Sequence, residues 1–143
     1  MENAFIFKPT DSNGLTPGQV IKATAAHARN HDDRTLFTIG HKVNLKKWGD
    51  ELEYFIATTV NGRTALVGRI VDFGDYEKQP THVPPAGFEQ PSQWQPKDKM
   101  TWFALDSVRE MRIDKDVPKN DEGRDGLEMI ERPSRAYVNW NEA

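Results

Sequence analysis

Residues 45–76 read LKKWGDELEYFIATTVNGRTALVGRIVDFGDY, and this stretch carries the strongest pattern in the chain. Residues 52–57 and 64–71 are rich in aliphatic and aromatic side chains, which favours two β-strands. Asn61-Gly62 lies between them and suits a type I′ turn, in which both central residues need a positive φ. Gly68 inside the second strand indicates a bulge or the close approach of another backbone. The stretch therefore predicts a curved β-hairpin.

The segments around the hairpin extend this prediction to an α+β fold. Thr16-Pro17 predicts an N-cap followed by proline at the first helical position, and apolar residues at helical spacing continue the helix over 17–29. The other predicted elements are strands at 4–9 and 35–39, a strand, a turn near Asp106-Ser107 and a second strand within 100–113, and a helical turn with a strand from Arg135 to Trp140. We expect a small, curved, mostly antiparallel sheet or a β-barrel with one or two flanking helices.

The composition limits the class of protein. A chain of 143 residues with 36% hydrophobic content predicts one domain spanning residues 1–143. No run approaches the ~18 apolar residues of a membrane helix, and the N-terminus resembles no secretory signal. The chain has no cysteine, which excludes disulfides and thiolate sites and favours a reducing compartment. We therefore expect a cytoplasmic protein that does not bind membranes.

A long proline-rich loop is predicted at about 77–100. Five prolines fall in this span, and connections inside compact domains usually have ~4–6 residues. Loops of this length are usually functional or partly disordered, and Phe88 and Trp94 favour a functional loop because large exposed aromatic rings need a partner. The loop is a candidate surface for a protein partner.

The hairpin also resembles the central pattern of PUA-like domains, in particular the EVE and ASCH groups. Residues 46–50, 52–55 and 65–70 read KKWGD, LEYF and ALVGRI, which is similar to the family's basic residue, Gly-Asp, aromatic-rich strand and aliphatic-Val-Gly strand. Residues 97–103 (KDKMTWF) resemble its later strand, and Ala28-Arg29-Asn30 resembles an element before the Gly-Asp. Trp48 departs from the pattern, because a large aromatic residue is not expected there.

The resemblance implies a module that binds RNA or modified DNA and holds a modified or unpaired base in an aromatic-lined cleft. A base can stack on aromatic rings while polar groups reach its edge. The alternative is that the aromatic residues simply fill a small core. The candidate ligand-binding residues are Arg29, Asn30, Trp48, Thr58, Trp94, Asp98 and Trp102.

Charge is divided unevenly along the chain. Residues 1–48 carry seven Lys/Arg against four Asp/Glu, while residues 49–143 carry twelve against eighteen. Lys42, Lys46 and Lys47 are candidate phosphate-binding residues. An ordinary solvated surface is the alternative, because the pI of the whole chain is 5.8.

Catalytic and metal-binding patterns are weak. His27 and His31 have the i, i+4 spacing of metal ligands, but we expect solvated residues at a helix end, no metal and no other cofactor.

A small amidohydrolase acting on a modified nucleoside is the alternative within the family. It would combine Lys46 or Lys47 with Thr58 or Thr59 and a glutamate such as Glu53. Glu53 and Thr58 would face opposite sides of a regular strand. A protein-interaction domain of a phage or host-defence system is a third reading.

Overall fold

The described residues form a six-stranded mixed sheet with two short helices. The strands are β1 (Ala4–Phe7), β2 (Thr35–Ile39), β3 (Tyr54–Thr58), β4 (Thr64–Asp75), β5 (Thr101–Arg112) and β6 (Arg135–Val138), and the helices are α1 (Pro17–Arg29) and α2 (Gly126–Met129). This computed structural model describes residues 2–10, 14–41, 43, 51–59, 64–94, 100–113, 118–131 and 135–141. An α+β architecture dominated by strands is therefore confirmed.

Helix α1 begins and ends where its sequence predicts. The Thr16 hydroxyl accepts a hydrogen bond from the Gln19 backbone N–H at 3.3 Å, and the Gln19 side chain accepts one from the Thr16 N–H at 2.8 Å. This reciprocal capping box satisfies two N–H groups at the helix start. Val20, Ile21 and Ala28 are among the residues that the helix buries against the sheet.

The strands lie in the order β2-β5-β4-β3-β1-β6. Strands β1 and β3 pair in parallel, and the other four pairings are antiparallel. Strands β3 and β4 form the predicted antiparallel pair, with Ile56 opposite Val67. The predicted turn at Asn61-Gly62 lies outside the described residues.

Two irregularities bend the long β4–β5 ribbon. The register shifts between Val67 and Arg69 and again between Ile70 and Asp72. The first shift falls at Gly68, in agreement with the predicted bulge, and a Cβ there would lie 3.1 Å from both the Leu105 Cβ and the Val108 Cγ2.

The turn predicted at Asp106-Ser107 is wrong, because β5 is one strand from Thr101 to Arg112. Ser107 instead adopts a φ of 51°, which accommodates the irregular register opposite Gly68 within the strand.

Apolar side chains cover both faces of the sheet. The face that packs against α1, here called the helix side, holds Phe5, Phe37, Phe55 and Phe103 among its buried residues. On the opposite side, one cluster around Ile6, Ile56 and Val138 lies below α2, and a second consists of Leu36, Trp102 and Ala104. Tyr76 and Phe88, from the segment after β4, pack on this second cluster.

The sheet curls until its two edges approach each other. Phe7 on β1 contacts Phe37 on β2 with ring centroids 6.1 Å apart, and Arg135 on β6 lies 3.3 Å from the Nδ1 of His41, just after β2. Within the described part of the chain no strand pairing joins β6 to β2, so the sheet is curved but not closed. Among the described residues, neither α1 nor α2 has the length and apolar character needed to cross a membrane.

Candidate functional site: a pocket beside strand β4

A pocket opens where β4 extends past β3. Strand β3 begins at Tyr54, opposite Arg69, and the Glu53 carbonyl oxygen accepts a hydrogen bond from the Ile70 N–H at 2.7 Å. Beyond this point β4 pairs with β5 on one side, and the described residues place no strand on its other side. The pocket occupies this second side.

The pocket combines apolar walls with polar side chains. Its volume is about 240 Å³. That is smaller than the ~300–1,000 Å³ that holds a drug-sized ligand, so the pocket suits a single ring system. The lining residues are Leu52, Ile70, Val71, Asp72, Phe73, Gln79 and His82.

Side chains satisfy the backbone donors along this edge of β4. The Phe73 N–H donates to Asp72 Oδ1 at 2.9 Å, and the Asp75 N–H donates to Gln79 Oε1 at 3.4 Å. An edge whose N–H groups are already bonded is a poor template for an added strand. The edge therefore favours a ligand that contacts side chains over one that extends the sheet.

Asp75 fixes the start of the loop that carries Gln79 and His82. This residue is buried, and its Oδ1 accepts hydrogen bonds from the backbone N–H groups of Glu77 and Lys78, both at 2.8 Å. The Gln79 N–H donates to the Asp75 carbonyl, and the His82 N–H donates to the Gln79 carbonyl. These turns place both side chains at the pocket.

His82 lies between an acid and an aromatic ring. Its Nε2 is 3.1 Å from Asp72 Oδ1, and its ring centroid is 5.1 Å from that of Trp102 with a 42° tilt. The side chains of His82 and Asp72 are 42% and 37% exposed, so this pair contributes at most about 1 kcal/mol to stability. Since both Asp72 bonds use Oδ1, its Oδ2 is an acceptor that a ligand N–H can use.

Charges of both signs surround the pocket. Arg69, two residues before Val71, has an exposed side chain whose Nε lies 3.6 Å from Asp106 Oδ1. Glu53 is also exposed and lies at the start of β3. Such a mixed field does not favour a densely charged polyanion over the whole surface.

Two further histidines have lowered pKa values. Burial lowers the pKa of His41, and the adjacent Arg135 lowers it further. Burial and the neighbouring His31 lower the pKa of His27, although hydrogen bonding to the Glu89 backbone acts the other way. Both residues lie away from the pocket lining.

The rings of His27 and His31 stack with centroids 3.9 Å apart, and His31 Nδ1 bonds to the His27 carbonyl oxygen at 2.7 Å. Across the described ranges, no group of three or more His, Asp or Glu residues is arranged to hold a metal ion.

The structure does not gather the sequence-predicted ligand residues into one place. Arg29 and Asn30 are exposed at the C-terminal end of α1, where Asn30 Nδ2 donates to the Ala26 carbonyl. Thr58 is buried on β3 and donates its hydroxyl to the Thr64 carbonyl at 3.0 Å. The predictions for Trp48, Asp98, Lys42, Lys46 and Lys47 fall outside the described residues.

The two described tryptophans of that set lie on opposite faces of the sheet. Trp94 is 4% exposed and packs on the helix side, with its ring centroid 4.6 Å from that of Phe37. Trp102 is fully buried on the other face, below His82. Of the described members of the predicted set, Trp102 is the residue that lies next to the pocket.

Sequence reasoning missed Asp72, Gln79 and His82. The usable signals were the Asp-Phe-Gly-Asp ending of a strand and a histidine inside a long proline-rich loop. Neither signal shows that the loop folds back on the strand that precedes it, because this depends on the turn made by Asp75.

Comparison of the chain with protein-family models, curated proteins and solved structures finds no match. The candidate site is therefore argued from its own geometry.

Proposed function

We propose that this protein is a nucleic-acid-binding module that holds one modified or unpaired base in the pocket beside β4. The observation that carries the proposal is the combination of Asp72 and Gln79 with the apolar walls of a pocket of about 240 Å³. A base needs hydrogen-bond partners for its edge and apolar or aromatic contacts for its faces. An unpaired base offers both its edge and its faces.

A PUA-like barrel is the fold we propose for this module. The curled sheet, the bend at Gly68 and the approach of Arg135 to His41 across the two edges support it. The family resemblance of the hairpin supports the same fold and the preference for RNA or modified DNA. On the sequence ground that cysteine is absent, we assign the module to the cytoplasm.

Phosphate contacts are expected to be few. We assign them to Lys42, Lys46 and Lys47 on the sequence pattern, and to Arg69 on its position two residues before Val71. The nearby acids Asp106 and Glu53 oppose a larger phosphate surface. For a single strand, each phosphate contact contributes about −0.7 to the slope of log K against log salt. With four such residues we therefore expect a slope no steeper than about −3.

Isothermal titration with free nucleosides and short single-stranded oligonucleotides, with and without base modifications, tests this proposal. Asp72→Asn keeps the shape of the side chain but removes its charge, and we expect about tenfold weaker binding from the loss of a charged acceptor. Glu77→Gln is the matched control, because Glu77 is an exposed acid on the loop that follows β4 and does not line the pocket. Equal affinity of Asp72→Asn and the wild type would contradict the proposed site.

A protein-binding role is the second candidate, and two exposed apolar residues favour it. Val71, which lines the pocket, is 48% exposed, and Val83, next to His82, is 65% exposed. Such residues beside a polar pocket suit a partner protein. Binding of a protein with no response to nucleosides would favour this candidate.

The geometry gives less support to the amidohydrolase reading. Glu53 is exposed just before β3, whereas Thr58 is buried at the end of the strand, which pairs with β4 in continuous register from Tyr54 to Thr58. The Thr58 hydroxyl also donates to the Thr64 carbonyl.

A further inference from the structure

The contacts of His82 are those of a bound heterocycle. Its imidazole is a planar ring with an N–H group, it lies against the indole of Trp102, and its Nε2–H donates to the Asp72 carboxylate. An aromatic surface together with a carboxylate acceptor is the set of contacts that a nucleobase with ring or exocyclic N–H donors would use.

We propose that His82 is a resident ligand, which occupies a heterocycle-binding site formed by Trp102 and Asp72 and leaves when an external base binds. This inference rests on the proposed function for the identity of the external ring. The site itself follows from the contacts of His82.

Trp102 is the part of this site that stays in place when His82 leaves. Its Nε1 is buried and has no hydrogen-bond partner among the described residues, which is costly for an N–H donor. Gly74 lets the indole lie directly on β4, because a Cβ there would be 2.8 Å from the Trp102 Nε1 and Cε2.

His82 belongs to a segment that can move at low cost. Residues 77–83 are all exposed, so their own side chains bury little apolar area, and the main cost of moving His82 is the exposure of the Trp102 indole that an external ring would cover again. The link to Asp72 is a partly exposed pair, which is weak in water. By contrast, Trp102 is held by Leu36 and Ala104 on the sheet and cannot leave with the loop.

A tethered internal ligand lowers the apparent affinity for an external one. The apparent dissociation constant equals the intrinsic constant divided by the fraction of molecules in which the site is empty. If His82 occupies the site about nine-tenths of the time, its removal raises affinity about tenfold. If His82 instead contacted the ligand directly, removal of His82 would lower the affinity.

The test compares the wild type with His82→Ala, His82→Phe and the control Thr81→Ala, an exposed neighbour that does not line the pocket. Thermal unfolding first establishes that each variant is folded. The four free ribonucleosides are then titrated by calorimetry. We expect His82→Ala to bind about tenfold more tightly than the wild type, and Thr81→Ala to bind like the wild type. Equal or weaker binding by His82→Ala would overturn the inference while leaving the proposed function intact.

Imidazole is the second probe, and it does not depend on the proposed function. We expect imidazole to change the tryptophan fluorescence of His82→Ala saturably, because it refills the vacated position on Trp102. The wild type and His82→Phe, whose own rings cover the indole, should show no saturable change. If none of the proteins binds a nucleoside, the proposed function is contradicted and the imidazole result decides the inference. The absence of an imidazole response in folded His82→Ala would then overturn it.

Discussion

Gly74 and Trp102 form the closest residue-to-residue fit beside the pocket. The indole lies against the strand backbone at the point where β4 lacks a side chain, and the other contacts of Trp102 come from Leu36, Ala104 and His82. Because the interior of a protein is close-packed, a ring in this position has little freedom to shift. Gly74 therefore sets how closely the Trp102 indole packs on β4.

Gly74→Ala should destabilise the protein by about 1–3 kcal/mol, since the added Cβ would lie 2.8 Å from Trp102 ring atoms. Urea unfolding monitored by circular dichroism gives the change in the free energy of unfolding. Gly18→Ala is the matched control, because Gly18 lies in the first turn of α1 and has open space around it. That variant should be as stable as the wild type or more stable. Equal stability of both variants and the wild type would contradict the close packing.

Single residues were predictable where local chemistry alone decides their conformation. Thr16-Pro17 predicts the helix start because the capping bonds join residues three apart in sequence. Gly68 predicts a bulge from its place inside a strand. A side chain at that position would meet Leu105 and Val108, so few other residues suit it. The burial of Trp94 and Trp102 was not predictable, because it depends on packing between segments that are distant in sequence.

The segment after β4 acts as a cover for strand β2. The Glu89 carbonyl accepts hydrogen bonds from the Leu36 N–H and the Thr35 hydroxyl, both at 3.0 Å, and Gln90 Nε2 donates to the Thr38 hydroxyl at 3.0 Å. Trp94 then packs against Phe37 in the helix-side core. The element protects the edge of the sheet and closes the core.

Trp94→Ala should cost about 3–5 kcal/mol of stability, as large-to-small changes in a core do. Trp94→Phe should cost less because it keeps a ring against Phe37, and Ser92→Ala, at an exposed position of the same segment, should cost little. Chemical unfolding measures all three. If Trp94→Ala were as stable as the wild type, the Trp94 ring would not be part of the core. Trp94 would then again be a candidate ligand-binding residue.

Elements with local periodicity were predictable, and those defined by distant partners were less so. Helix α1 and strand β2 have the predicted bounds. The division of β5 at Asp106-Ser107 was wrong because pairing with β4 carries the strand through the irregular residues. The path of the loop along β2 follows from hydrogen bonds between residues more than fifty positions apart, which no local pattern contains.

Contacts between the two edges of the sheet stabilise its curvature. The guanidinium of Arg135 on β6 donates to the Nδ1 of His41, and the ring of His41 packs edge-on against Phe7. This contact requires a neutral imidazole, because a protonated ring has no acceptor and would repel Arg135. We therefore expect the proximity of the edges to depend on pH.

Acid should destabilise the protein below about pH 6.5. Burial and Arg135 lower the pKa of His41 in the folded state, whereas an unfolded chain takes up the proton near the ordinary value of 6.5. The unfolded state thus binds more protons as the pH falls from 6.5 toward the folded pKa, so stability is lost in that window. One histidine contributes a slope of at most about 1.4 kcal/mol per pH unit.

Urea unfolding at pH 7.5, 6.5 and 5.5 measures this dependence. His41→Phe keeps an aromatic ring beside Phe7 but cannot titrate, so its stability should vary less with pH than that of the wild type. His27, whose pKa is also lowered, should account for part of the remaining dependence. An identical pH dependence of the variant and the wild type would contradict the role of His41 at the sheet edges.

At the scale of the whole molecule, the sequence predicted the fold class better than the site. The predicted strands and the predicted helix over 17–29 were enough to indicate an α+β fold. The pocket forms because β4 extends past β3 and because the loop after β4 folds back on that strand. Both features are properties of the assembled fold.

The most direct test of the binding claim is a two-dimensional ¹H–¹⁵N NMR titration of the wild type with the free nucleoside that binds best. Binding in the pocket beside β4 predicts saturable shifts at Ile70–Phe73, at Gln79 and His82, and at the Trp102 indole N–H, with little change at the N-terminal residues of α1. Saturable shifts confined to other parts of the chain, or no shifts with any nucleoside, would contradict the account.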